Sequence, residues 1–228
     1  MSTSDVGENV RPRRADPIAW LRPAVFVGGL MPLGFFLFYG MTGGLAADPL
    51  ADILNRVGLL ALIFLLASLA CTPVKLITGW TWPIRLRRML GLLAFFYALL
   101  HFGIYLIGQT GTPGGILRSV VADVLERPFI AVGFTALVIL TPLALTSTGG
   151  MIRRLGAKRW QTLHQLAYVA GMLGVVHFIM RVKADLREPL IYAGILIALL
   201  LARRLVRPLR EVGKALTPDR SQEPTAKS

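Results

Sequence analysis

The chain is 228 residues long, 54% of them hydrophobic and 16% charged, with a mean hydropathy of +0.62 and a formal net charge of +13 at pH 7. A soluble domain carries roughly a quarter charged residues, so this composition excludes an ordinary soluble enzyme, a disordered chain and a secreted disulfide scaffold. Cys71 is the single cysteine. That excludes an intramolecular disulfide, a Cys-x-x-Cys-His attachment, an iron–sulfur cluster and a thiolate zinc site.

In chain order, the apolar residues gather into six blocks, at 21–41, 53–72, 89–108, 128–146, 163–180 and 189–206. Each is about the twenty residues that a helix needs to cross the hydrocarbon of a bilayer. None carries a charge away from its ends, and period-two alternation is absent, which favours helices over barrel strands. The expected fold is all-α: a polytopic membrane protein built as a six-helix transmembrane bundle. Residues 1–20 read as a cytoplasmic N-terminal segment, 21–206 as the transmembrane domain, and 207–228 as a polar, flexible tail. The first block, preceded by arginines and followed by Leu45-Ala46-Ala47-Asp48, also fits a long signal peptide, although its length favours a retained helix.

Charge sets the orientation. Arg11, Arg13, Arg14 and Arg22 precede or open the first block, and Lys75, Arg85, Arg87 and Arg88 lie between the second and third. Arg153, Arg154, Lys158 and Arg159 lie between the fourth and fifth, and a further basic run from Arg203 to Lys227 follows the sixth. The other side carries Arg56, Arg118, Arg127, Arg181, Lys183 and Arg187, each offset by an acid such as Asp48, Asp52, Asp123 or Glu126. The positive-inside rule therefore puts both termini in the cytoplasm. The basic excess is a topology signal and an attraction to anionic lipid, with no nucleic-acid role.

Ionisable side chains inside a membrane are costly, which makes them functional candidates. All three histidines, His101, His164 and His177, fall in or at the edge of these blocks. Imidazoles from facing helices are the axial ligands of b-type cytochromes. At a rise of about 1.5 Å per residue, His101 lies about 18 Å along the third block and His177 about 21 Å along the fifth, at matching depth in the outer half. His164 lies near the inner face, about 20 Å from His177 and about 140° around an ideal helix. No histidine of the third block matches its depth: Arg87 and Arg88 stand there instead. The alternative for any of the three is a hydrogen bond to a backbone carbonyl within the bundle.

Other features carry less. Trp20, Trp80, Trp82 and Trp160 fall where interfacial indole anchors are expected. Tyr97, Tyr105 and Tyr168 read as packing residues, with Tyr105 placed to line an exit path. Gly111, Gly114 and Gly115 read as a loose outer loop, with no preceding strand to make them a dinucleotide fingerprint. Arg87, Arg88, Arg153, Arg154 and Arg159 are the basic side chains available for a cofactor's carboxylates or a flavin phosphate. The segments outside the blocks are too short for a nicotinamide or flavin-nucleotide domain, so any electrons come from a lipid-soluble quinol or a small bound flavin. Ser-His-Asp, His-Glu-x-x-His and paired intramembrane carboxylates are all missing, against a membrane protease or a carboxylate-driven pump.

Three runs carry a family resemblance. They are Arg87-Arg88-Met89-Leu90-Gly91 leading to Tyr97, His101 and Phe102; Thr141-Pro142-Leu143-Ala144-Leu145-Thr146-Ser147; and Trp160-Gln161-Thr162-Leu163-His164-Gln165-Leu166-Ala167-Tyr168 followed by His177. In order and spacing they resemble the MsrQ (YedZ) family of haem-binding membrane subunits, and more distantly the ferric-reductase-like domain shared with NADPH oxidases. The distant relatives usually carry two histidines on each of two helices, whereas the third block here has one. The resemblance implies an inner-membrane cytochrome with haem b, and FMN as a further cofactor. It implies electrons drawn from the quinone pool and passed to MsrP, a periplasmic molybdopterin enzyme that reduces methionine sulfoxide in proteins. It places His101, His164 and His177 at the family's histidine positions, with His101 and His177 the preferred axial pair. On this reading the chain transfers electrons and does not itself reduce the sulfoxide. The alternatives are a haem-dependent ferric reductase and a cofactor-free transporter or assembly factor.

Overall fold

The computed structural model describes residues 19–42, 47–110, 115–182 and 184–216, with side chains described as far as Leu205. Arg11, Arg13, Arg14, Gly111, Gly114, Lys183 and the tail beyond residue 216 lie outside the described residues. Nine helices and no strand occur among the described residues: α1 Leu21–Thr42, α2 Pro49–Thr78, α3 Trp82–Gly108, α4 Gly115–Glu126, α5 Pro128–Leu145, α6 Gly149–Leu155, α7 Ala157–Leu163, α8 Leu166–Arg181 and α9 Arg187–Leu216.

Five stretches are long and apolar enough to cross a membrane: α1, α2, α3, α5 and the run Ala157–Arg181 formed by α7 and α8. The sixth expected block falls on α9, which continues into the basic segment after it. The remaining helices were not expected. Residues 115–126 form α4, so the outer loop is in part a helix, and the basic connection before the fifth block folds into α6 and the start of α7.

Helix α2 shows why these boundaries fall where they do. Asp48 caps it by accepting from Ala51 N at 3.1 Å, Pro49 opens it, and Lys75 sits in its last turn, where the helix dipole favours a cation. The following loop is short, so α3 returns antiparallel along α2, and α5 and α8 pair in the same way. Helices α2 and α5 therefore start at the end of the bundle where α3 and α8 finish.

Apolar side chains cover much of the outside, as along α1, where Val27 is 66% and Met31 75% exposed. A surface of this kind suits hydrocarbon and not water. The buried core runs along both sides of α2. One cluster joins Leu62, Leu66 and Leu69 to Val175 of α8 and Leu196 of α9, and the other joins Leu65 to Ala94, Leu140 and Ala170. Polar ties between helices are few. Ser68 Oγ donates to Arg87 O at 2.9 Å between α2 and α3. The fully buried Tyr97 donates its phenol to Gly29 O at 2.6 Å, tying α1 to α3, and stacks on Phe64 at 5.4 Å between ring centres. Tyr97→Phe removes that donor and nothing else, so it should lower stability by about 0.5–2 kcal/mol. A thermal melt in detergent checks this, and an unchanged melting point would show that the bond contributes nothing.

Candidate functional site

Helices α2, α3, α5 and α8, with α4 across one end, enclose a cavity of about 340 Å³, within the range of about 300–1,000 Å³ usual for cofactor sites. His101 of α3 and His177 of α8 both line it, with ring centres 6.2 Å apart and ring planes at 85°.

Each ring is fixed in the same way. His101 Nδ1 lies 2.9 Å from Leu54 O of α2, and His177 Nδ1 lies 2.6 Å from Phe129 O of α5. A carbonyl only accepts, so in each ring Nδ1 carries the proton and donates it. This leaves Nε2 as the nitrogen free to bind a metal, and no hydrogen bond among the described residues engages it. A metal-binding imidazole commonly holds its other nitrogen on a carbonyl in this way, which fixes both tautomer and ring direction.

Close approach to the carbonyls depends on two glycines. Gly58 lies four residues after Leu54, and Gly133 four residues after Phe129, so each glycine stands one turn along the helix from the accepting carbonyl. A Cβ on Gly58 would lie 2.7 Å from His101 Nδ1, and one on Gly133 would lie 2.7 Å from His177 Nδ1. Neither position has room for a side chain. The α2–α3 and α5–α8 pairs thus repeat a single device: a carbonyl, a glycine one turn on, and an imidazole from the neighbouring helix resting on both.

The spacing fits one metal ion between the two rings. Two imidazoles bonded at about 2.0 Å on opposite sides of one ion stand about 6 Å apart, centre to centre. No group of three or more His, Cys, Asp or Glu side chains converges among the described residues. A bare ion would therefore lack ligands here, whereas an ion that brings its own equatorial ligands would need only the two histidines.

His164 stands apart. It closes α7 where the path bends into α8, at the opposite end of the bundle from His177, and does not line the cavity. Its Nδ1 lies 3.0 Å from Trp160 O and its Nε2 3.3 Å from Ser147 Oγ, and the Trp160 ring stacks on it at 3.9 Å. Between α7 and α8 the backbone bonds tighten to three-residue spacing at Gln165, Ala167 and Tyr168, so the stretch from His164 to His177 is not one ideal helix. Trp160 is more than an interfacial anchor, since its indole also donates to Thr146 O at 3.1 Å.

The basic residues singled out from the sequence lie at that far end as well. Arg87 is half-buried, with Nη1 3.4 Å from Thr72 Oγ1, and Arg88 and Arg159 are exposed; none of the three lines the cavity. The arginines that do line it are Arg127 and Arg181, which sequence reasoning took only for loop charges. The missed signal is spacing: Arg181 follows His177 by four residues, which puts both on one face of α8.

A helical bundle with apolar flanks and two imidazoles from facing helices lining one cavity defines a class, the multi-pass membrane proteins with paired histidines between their helices. The sequence pattern of the ferric reductase like transmembrane component matches residues 55–175, the stretch from the start of α2 to the middle of α8. Three relatives bear the name protein-methionine-sulfoxide reductase heme-binding subunit MsrQ. The protein from Deinococcus radiodurans is 51% identical over 204 residues, covering 87% of this chain and 99% of that protein. The one from Rhodospirillum rubrum is 52% identical over 190 residues, 83% of this chain and 89% of that protein. The one from Herminiimonas arsenicoxydans is 44% identical over 185 residues, 80% of this chain and 84% of that protein. The chain belongs to the MsrQ family.

Helix glycines should separate by sign. Gly58→Ala and Gly133→Ala each force a histidine off its carbonyl and should cost about 1–3 kcal/mol. Gly103→Ala adds a methyl where nothing lies within 4 Å and should be neutral or stabilising by up to about 1 kcal/mol. Denaturation of the three variants in one detergent tests the contrast, and equal effects at all three positions would remove the steric argument.

Proposed function

We propose that this chain is the haem-carrying, electron-transferring subunit of a methionine-sulfoxide reductase system. One observation carries the reading: two imidazoles on facing helices, 6.2 Å apart in one cavity, each with Nδ1 held on a helix carbonyl. The names of the relatives supply the group such a pair would hold. Bound there, haem b supplies a one-electron carrier whose chemistry is its own. The chain's part is to ligate, orient and shield. His101 and His177 would hold the iron through Nε2, their carbonyl partners would raise ligand basicity, and the apolar walls would limit water.

The assembly around this site is read from the sequence and the family together. Residues 21–206 make a six-span domain in the bacterial inner membrane, with both termini cytoplasmic, as the basic loops require. Electrons come from the quinone pool, as the family resemblance implies. They leave at the outer end toward an MsrP-like periplasmic molybdopterin reductase, which carries out the sulfoxide chemistry. His164 is the ligand available to a second group near the inner end, for which its ring has to release Ser147. FMN would draw its phosphate contacts from Arg87, Arg88 and Arg159 at the same end.

The test is a reduced-minus-oxidised spectrum of the purified protein with haem counted per chain. The wild type should show a sharp low-spin b-type spectrum. His101→Ala and His177→Ala should each abolish it while leaving membrane insertion intact; an unchanged spectrum in either variant would defeat the ligand assignment. His164→Ala should keep the low-spin spectrum, and a fall in haem per chain in that variant would assign His164 its own group. The near-perpendicular ring planes add a further expectation. The oxidised protein should give a strongly anisotropic low-spin EPR signal, and a signal typical of parallel imidazoles would show that the rings are turned on binding.

A further inference from the structure

Polar side chains line the cavity unevenly. Apart from the two imidazoles they are Asn55, Tyr105, Arg127 and Arg181, and all four lie at or beyond the level of the histidines, at the end where α2 and α5 begin. The opposite end of the cavity is closed by Leu65, Leu140 and Ala170, which belong to the buried core. Arg127 and Arg181 are the only charged residues in the lining, and both are cations.

Tyr105 and Arg181 occupy matching places. Tyr105 follows His101 by four residues on α3 and Arg181 follows His177 by four on α8, so each stands one turn, about 6 Å, beyond its histidine. Arg127 completes this rim from the start of α5. Its Nε lies 3.3 Å from Asp123 Oδ1 of α4. The other oxygen, Asp123 Oδ2, accepts from Tyr105 Oη at 2.6 Å and from Gln109 Nε2 at 2.8 Å. Asp123 is half-buried and does not line the cavity, while the Arg127 side chain that it pairs with is 58% exposed.

From this arrangement we infer that Arg127 and Arg181 bind the two carboxylates of the tetrapyrrole, with Asp123 as the positioning residue that aims Arg127. The inference rests on the haem reading above and adds the direction in which the group is seated. An ionised carboxylate is costly in an apolar cavity unless it meets a cation or water. Turned toward Leu65, Leu140 and Ala170 it would meet neither, whereas at the rim it meets two guanidiniums suited to paired hydrogen bonds. The carboxylate edge therefore lies on the same side as the proposed exit for electrons, and the arginines assigned from the sequence, Arg87, Arg88 and Arg159, play no part at this site.

The test titrates the full-length protein, prepared without haem, with haemin and with haemin dimethyl ester, whose carboxylates are blocked, following the Soret band. Wild type should bind the ester on the order of a hundredfold more weakly than haemin, and Arg127→Gln and Arg181→Gln should each weaken haemin by on the order of tenfold with little effect on the ester. Asp123→Asn should weaken haemin selectively, as Arg127→Gln does, and Asp123→Glu should restore it. Equal binding of haemin and ester by wild type would overturn the inference and leave the haem reading intact. So would arginine variants that weaken both ligands alike, since that is a structural loss. A wild type that binds neither ligand would overturn the haem reading together with the inference.

Discussion

The site depends on a hydrogen bond made twice, from an imidazole Nδ1 to the carbonyl of a neighbouring helix. A helix carbonyl already accepts from the amide four residues on, and its second lone pair is normally hidden under the side chain at that position. Glycine at 58 and at 133 uncovers it. The imidazole then gains an acceptor deep in a bundle that has few others, its tautomer is set, and Nε2 is left facing away. Backbone is a dependable partner here, because a helix in hydrocarbon cannot give up its own geometry. The rest of the arrangement follows: α2 must run beside α3 and α5 beside α8, at a depth where the two rings come level.

Much of this was legible in the sequence because a bilayer restricts what a chain can do. Five apolar stretches coincide with helices able to span it, since a run of about twenty apolar residues has few other uses. The matching depth of His101 and His177 followed from the rise per residue alone, and the structure brings these two rings to one cavity. Depth is a one-dimensional property, and the one-dimensional parts of the reading held best.

What was not legible was direction around the helix axis and function at the ends. Arg127 and Arg181 were weighed as charges outside the membrane, where the positive-inside rule counts residues without asking which way they point. Gly58 and Gly133 carry no periodic signal that marks them among 23 glycines; only the approach of a particular ring does so. The stretch at 115–126 read as loop because its apolar residues are too few to span a membrane, yet Val120 and Val124 have the spacing of a helix face. The break at His164 was hidden for a different reason: α7 is polar and basic, with Lys158, Arg159, Gln161 and Thr162, and read as part of the connection before the fifth block.

Helix α4 has a bearing on how such a protein is loaded. The other walls of the cavity are long helices whose separation would tear open the core around α2. Helix α4 has twelve residues and none of them is buried, although Val120 and Val124 face the cavity while Leu117 and Leu125 are largely exposed. Displacing it exposes little that the rest of the fold depends on, so opening on that side is the least costly local unfolding the cavity allows. Because Asp123 sits on this helix, any shift of α4 also moves the carboxylate that Arg127, Tyr105 and Gln109 contact.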